Sequence, residues 1–335
     1  MCSPPSGGKI RGPRPSKAPA MLHRAPTLCL LSVVLAACSS APEGVKDPQA
    51  EAAARDRRRL AEETERKLSD PGRLITDLDK QLDAYLRYRL TTGSVQSDTE
   101  VAKLGDLLER QARDHLEFLI AQSNQTEYPR NRAIAIGTLG FAKPPEAERV
   151  LDPILNGLTD PNQEVVANAV FALGVLADPR TPPGALARVI DSGSLDSMTR
   201  GGAAWALHEI QGKVADPAPM VEIWLRVLGQ PIDAQPGEVL VSALRGLGRT
   251  RLPEHRTLAE RFVSHPLPLV RSAAAIALGR MKDPAAAAAL LALIGPAESN
   301  ENVRLAARKA LQALAGGIDR GYDVEEWKRV FERGV

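Results

Sequence analysis

The chain has 335 residues, 44% of them hydrophobic and only 4% aromatic, with 43 Lys and Arg against 41 Asp and Glu. Lys9, Arg11, Arg14, Lys17 and Arg24 all precede Cys38 and no acid does, so from Cys38 onward 38 bases face 41 acids. That balance gives no electrostatic footing for nucleic acid, and an Ala- and Leu-rich, aromatic-poor composition favours close-packed helices.

Residues 1–20 are rich in Pro, Gly, Lys and Arg and read as an unstructured prefix, with Met21-Leu22-His23-Arg24 as the natural start. The apolar run Thr27–Val34 follows, and Leu35-Ala36-Ala37-Cys38 closes it. A basic stretch, a short apolar stretch and small residues before a cut site describe a secretory signal. At about ten residues the run is roughly half of what a membrane-spanning helix needs. Leu35-Ala36-Ala37-Cys38 followed by Ser39-Ser40 resembles the lipobox of bacterial lipoproteins. The resemblance implies that residues 1–37 are removed, that the Cys38 thiol carries a diacylglyceryl thioether, and that its freed amine is acylated. Two or more acyl chains hold a protein stably to a membrane. Ser39, rather than Asp, fits delivery to an outer membrane, facing the periplasm. Cys2 and Cys29 leave with the signal and Cys38 is consumed by lipid, so no disulfide or thiolate metal site is expected.

Residues 38–50 read as a polar tether. A helical region is expected over 51–127. Its first part, to about Leu68, is heavily charged and held by pairs one turn apart. Asp70-Pro71 opens a second helix with Leu74, Ile75, Leu78, Leu82, Tyr85 and Leu86 on one face, and a turn follows at Thr91–Ser94. The spacing predicts one further helix from about Asp98 to Gln122. These helices are expected to cover the open N-terminal end of the remaining chain.

From about residue 128 the sequence repeats. With Gly140, Gly174, His208, Gly248, Gly279 and Gln312 in register, the steps are 34, 34, 40, 31 and 33 residues. Each window has Leu one place before the anchor, Ala five places before it, and a small residue (Ala, or Thr138 or Gly246) two places before it. These positions share a helical face, where small residues let a neighbouring helix come close. A second, shorter apolar segment precedes five of the six windows, and Asp-Pro turns punctuate them. Paired helices at this period predict an all-α fold, an α-solenoid of about five to six helical pairs over 128–315, with a cap helix in 316–335. Leu158–Val166 leading into Ala172-Leu173-Gly174, and Val270-Arg271 leading into Ala277-Leu278-Gly279, resemble the HEAT-repeat family, especially its short bacterial form.

Chemistry is sparse along the chain. His208-Glu209 begins like a zinc-protease helix but lacks the second histidine, and Ser192–Ser197 lacks the nucleophile elbow. No catalytic residue, metal or cofactor is expected. Arg132, Arg200, Arg271 and Arg304 all stand eight places before their anchors; the family resemblance implies a ladder of pairs with turn aspartates, for which Asp160, Asp178 and Asp283 are available. Three places before the anchor the residue type varies freely, which places Phe171, Trp205 and Arg245 side by side as the candidate binding surface. The sequence therefore predicts a membrane-anchored lipoprotein of the cell envelope that binds a protein or peptide, without catalysis and without nucleic acid. The alternatives are a chromophore lyase, an activity known among HEAT-like proteins, and a structural spacer with no specific ligand.

Overall fold

Asp70 starts the first helix by accepting the Gly72 backbone N–H at 3.0 Å, and Pro71, which has no N–H to satisfy, takes the first helical position. The computed structural model describes residue 55 and residues 70–90 and 95–332. The signal with Leu35, Ala36, Ala37 and Cys38, the tether 38–50, the charged helix of 51–68 apart from Arg55, and the turn at 91–94 lie outside the described residues.

Every regular element among the described residues is helical. Helix α1 (Pro71–Leu90) buries Ile75, Leu78, Leu82 and Tyr85. The single helix expected over 98–122 is in fact two, α2 (Val95–Asp114) and α3 (Leu116–Ser123). His115 separates them with φ −119° and ψ 22°, outside the helical region, although its N–H still reaches the Gln111 carbonyl. The bend frees α3 to lie against α4 (Pro129–Leu139), on which α1 and α2 also pack.

Beyond this point each unit is a short leading helix followed by a longer trailing one. The leading helices are α5 (Ala147–Gly157), α7 (Pro183–Asp191), α9 (Ala218–Gly229), α11 (Arg256–Glu260) and α13 (Ala287–Ile294). The trailing helices are α6 (Gln163–Leu176), α8 (Ser197–Gln211), α10 (Gly237–Thr250), α12 (Pro268–Met281) and α14 (Glu301–Leu314). With α3 and α4 these make six pairs, and each trailing helix packs on the trailing helix of the next pair. This is an α-solenoid. Asn162, Asp196 and Asn300 begin α6, α8 and α14 by accepting backbone N–H groups of the first turn.

The repeating pattern explains the stack. Leu139, Leu173, Leu207, Leu247, Leu278 and Leu311 are all fully buried, as are Ala135, Ala169, Ala203, Ala243, Ala274 and Ala307. The anchors set how near the helices come. A Cβ on Gly140 would stand 2.6 Å from Ala172 Cα, one on Gly248 2.8 Å from Ala277 Cα, and one on Gly279 2.7 Å from Ala310 Cα. At these three joints the helices therefore meet backbone to backbone. Two joints differ. At Gly174 the Trp205 ring fills the space that a Cβ would take. Between α8 and α10, Gln211 donates to the Gly246 carbonyl at 3.0 Å and accepts from Trp224 Nε1 at 2.9 Å, so three buried polar groups satisfy one another.

The last helix, α15 (Val324–Glu332), packs against α13. Trp327 is fully buried, gives its Nε1–H to the Gly321 carbonyl at 3.0 Å and stacks on Phe331 at 6.2 Å. No helix among the described residues is long and apolar enough to cross a membrane.

Candidate docking surface

One register of the trailing helices differs from the Leu and Ala face. Three places before the anchors stand Gly137, Phe171, Trp205, Arg245, Ile276 and Lys309, of which only Gly137 is buried. One turn further, on the same helical face, stand Phe141, Val175, Glu209, Arg249 and Arg280. Phe171 and Trp205 are half-buried and stacked, with ring centroids 6.5 Å apart and an interplanar angle of 24°. Phe171 also meets Tyr85 and Phe141, each at 6.1 Å, so a chain of four rings runs from α1 to α8.

Arg89 of α1 closes over Trp205, its guanidinium carbon 4.8 Å from the ring centroid, and donates to the Tyr85 hydroxyl at 3.0 Å. Trp205 Nε1 donates to Glu209 Oε1 at 3.1 Å. The Glu209 carboxyl is held below the usual range by the hydrogen bond from His208, with help from Arg249 and Arg89. His208 Nε2 is buried and has no partner among the described residues. Arg245 is exposed and belongs with Arg249, Arg251 and Arg280 rather than with the rings. Burial, followed by repulsion from Arg249, Arg245 and Arg251, holds the Arg280 guanidinium below its ordinary pKa. Of the three residues chosen from sequence, Phe171 and Trp205 touch, and Arg245 opens a basic cluster beyond them. Sequence reasoning missed Arg89, Glu209, Arg249 and Arg280. The last three were legible as the column one turn after the variable one, whereas Arg89 comes from outside the repeats.

The arginines eight places before the anchors do form contacts between a helix and a turn, but not with one residue type. Arg132 grips Asp160 with two hydrogen bonds, at 2.8 and 3.0 Å, and both side chains are nearly buried. Arg271 does the same to Glu298 at 2.6 and 2.8 Å, which holds the Glu298 carboxyl below its usual range. Arg200 instead donates to Gln235 at 2.6 Å and to the Ile190 carbonyl at 2.8 Å. Among the described residues Arg304 has no acid partner; it lies over the Tyr322 ring at 4.7 Å, with its Nε buried and unpartnered.

Asp178 and Asp283 are not rungs of this ladder. Asp178 pairs with Arg180 and Asp283 with Arg256, because both aspartates follow the C-terminal end of a trailing helix. The arginines sit at the N-terminal end, about 20 Å away along a helix of this length. Asp160 and Glu298 share a second duty, each accepting the N–H two residues on, from Asn162 at 2.8 Å and Asn300 at 2.9 Å. His265 does this with its ring, Nδ1 accepting from Leu267 N–H at 3.1 Å. It therefore acts as a turn residue.

Two family descriptions match the chain: HEAT repeat over residues 150–178, and HEAT repeats over 221–312. The chain carries HEAT repeats. The matches lie on α5 and α6 and on α9 to α14, within the stacked pairs. No match was found among curated proteins. Among solved structures, an engineered protein is 19% identical, with TM-score 0.41, over 60% of this chain and 96% of its own. The complex of CpcE and CpcF of phycocyanin lyase from Nostoc sp. PCC7120 is 20% identical, with TM-score 0.40, over 65% and 94%. A designed armadillo repeat protein is 16% identical, with TM-score 0.35, over 71% and 99%. Among the described residues no three or more His, Cys, Asp or Glu side chains gather as a metal site would need.

Proposed function

We propose that the protein is a lipid-anchored lipoprotein of the cell envelope that serves as a non-catalytic docking scaffold, presenting its HEAT solenoid to a protein or peptide partner. The observation that carries the docking reading is the half-buried stack of Phe171 and Trp205 beside Arg89, which leaves aromatic surface on the solenoid instead of sinking it into the core. Aromatic and arginine side chains held rigid at a surface are the common composition of binding hot spots, and extended repeat surfaces suit long partners. The address rests on Leu35-Ala36-Ala37-Cys38, which supports lipid attachment at Cys38 and residence at an outer membrane facing the periplasm.

Two experiments test the two halves. Cys38→Ser should move the protein from the membrane fraction to the soluble fraction and stop incorporation of labelled lipid; retention with full labelling would refute the anchor. Crosslinking in intact cells, read by mass spectrometry, should lose its partners when Phe171, Trp205 and Arg245 are each replaced by Ala. Partners unchanged by those replacements would refute the surface.

A further inference from the structure

Arg245, Arg249, Arg251 and Arg280 carry four positive charges on two neighbouring trailing helices and their ends, close enough for the other three to disfavour the charge of Arg280. Among the described residues none of the four forms an ion pair or hydrogen bond with a side chain. Several other arginines of the same solenoid are neutralised: Arg130 by Asp79 and Glu164, Arg226 by Asp191, Arg256 by Glu260 and Asp283, and Arg308 by Asp319. Crowding like charges weakens a fold, so a cluster of four cations without a bonded side-chain partner marks a place where the opposite charge arrives from outside. Glu209, at its edge, is hydrogen-bonded by His208 and Trp205 and feels Arg249 only through space.

Resting on the docking reading above, we infer that the partner segment is an acidic peptide in extended form, with an apolar or aromatic residue on the Phe171–Trp205 shelf and carboxylates at Arg245, Arg249 and Arg280. The spacing supports a peptide over a single small anion. Packed helices stand about 8–10 Å apart and an extended chain advances about 3.3 Å per residue, so one trailing helix to the next corresponds to about three residues. The aromatic shelf ends on α8, and the arginines follow on α10 and then α12. The peptide therefore carries its apolar residue first, an acid about three residues on, and a second acid about three residues after that.

The test uses the full-length protein in detergent and a fluorescein-labelled peptide, Phe-Gly-Ser-Glu-Gly-Ser-Glu-Gly-Ser-Glu, with its Gln counterpart, followed by fluorescence anisotropy. The acidic peptide should bind about tenfold or more tightly than the Gln peptide, and the difference should shrink as salt rises. The variant Arg245→Gln/Arg249→Gln/Arg280→Gln should bind the two peptides alike. Its circular dichroism melt, no lower than wild type because like-charge repulsion is relieved, shows that it is folded. Equal binding of both peptides by wild type, no binding of either, or a preference surviving in the triple variant overturns the inference. So does arginine-dependent flotation with phosphatidylglycerol vesicles in the absence of peptide discrimination, which assigns the cluster to lipid headgroups. In the crosslinking experiment, partners lost with Trp205→Ala but kept by the triple variant leave the scaffold standing and remove only the acidic ligand. Partners unaffected by either remove both.

Discussion

Replacing Gly248 by Ala adds one methyl group where α10 touches α12. The new Cβ stands 2.8 Å from Ala277 Cα, 3.1 Å from its Cβ and 3.5 Å from its carbonyl oxygen. Carbon atoms rest about 3.5–4.0 Å apart, so the two helices must separate by about 1 Å along their contact. Overpacking of this kind costs about 1–3 kcal/mol, and the nearest obstacle is backbone, which no rotamer change removes. Against that, Ala in a helix is favoured over Gly by about 1 kcal/mol. The net expectation is a loss of up to about 2 kcal/mol. Gly184, in the first turn of α7, has nothing within 4 Å of its Cβ position, so Gly184→Ala should instead gain about 0.5–1 kcal/mol. Urea unfolding at neutral pH, followed by far-ultraviolet circular dichroism, compares the two, and hydrogen exchange in α10 and α12 localises the loss. Movement of both midpoints in the same direction would show that helix propensity, not the closeness of the joint, governs the anchor glycines. Trimming Ala277 to Gly should not rescue Gly248→Ala, because the Cα that obstructs it remains.

Three further outcomes rest on named contacts. Arg132→Ala leaves Asp160 nearly buried without its partner and should cost about 3 kcal/mol, whereas Arg304→Ala, at the equivalent position but with only a ring beneath it, should cost about 1 kcal/mol or less in the same urea assay. The Glu298 carboxyl is depressed in the folded state by Arg271 and the Asn300 N–H, so its contribution is complete above pH 4.5, its ordinary value, and is lost as pH falls through the lower folded value; Glu298→Gln should flatten that acid limb of the stability profile. Lys282 ends α12 with φ +56°, a conformation that Gly adopts freely, and Lys282→Gly should raise the melting temperature, corresponding to about 1 kcal/mol.

The stack was legible in the sequence because its cause is local: Leu and Ala recur at the helical period, and each buries itself against the next copy. The bend at His115 was not, since neither Gly nor Pro marks it. The partners of the ladder were hidden for a different reason. A turn that needs one acceptor for the N–H two residues on is satisfied by Asp160, Glu298 or the His265 ring, so the turn does not keep one residue type. Part of the candidate surface is not legible in the sequence because Arg249 and Arg280 read as ordinary exposed cations until their crowding with Arg245 and Arg251 is seen in three dimensions. Arg89 comes from α1, more than a hundred residues before Trp205, and no repeat register points to it.

The joints between trailing helices are closed in two ways, and this bears on how the array gives under load. Where Gly140, Gly248 and Gly279 bring backbones together, bending the joint opens contact along a whole helix at once, and such joints are stiff. Where Trp205 lies over Gly174, and where Gln211 and Trp224 bridge α8 to α10, a side chain is the spacer, and a side chain re-seats by rotating about single bonds. Both compliant joints flank α8. The helix that carries Trp205 and Glu209 is thus the one free to tilt, with stiff stacks on either side acting as handles, so a ligand spanning α8 to α12 would set the curvature of the array as it binds.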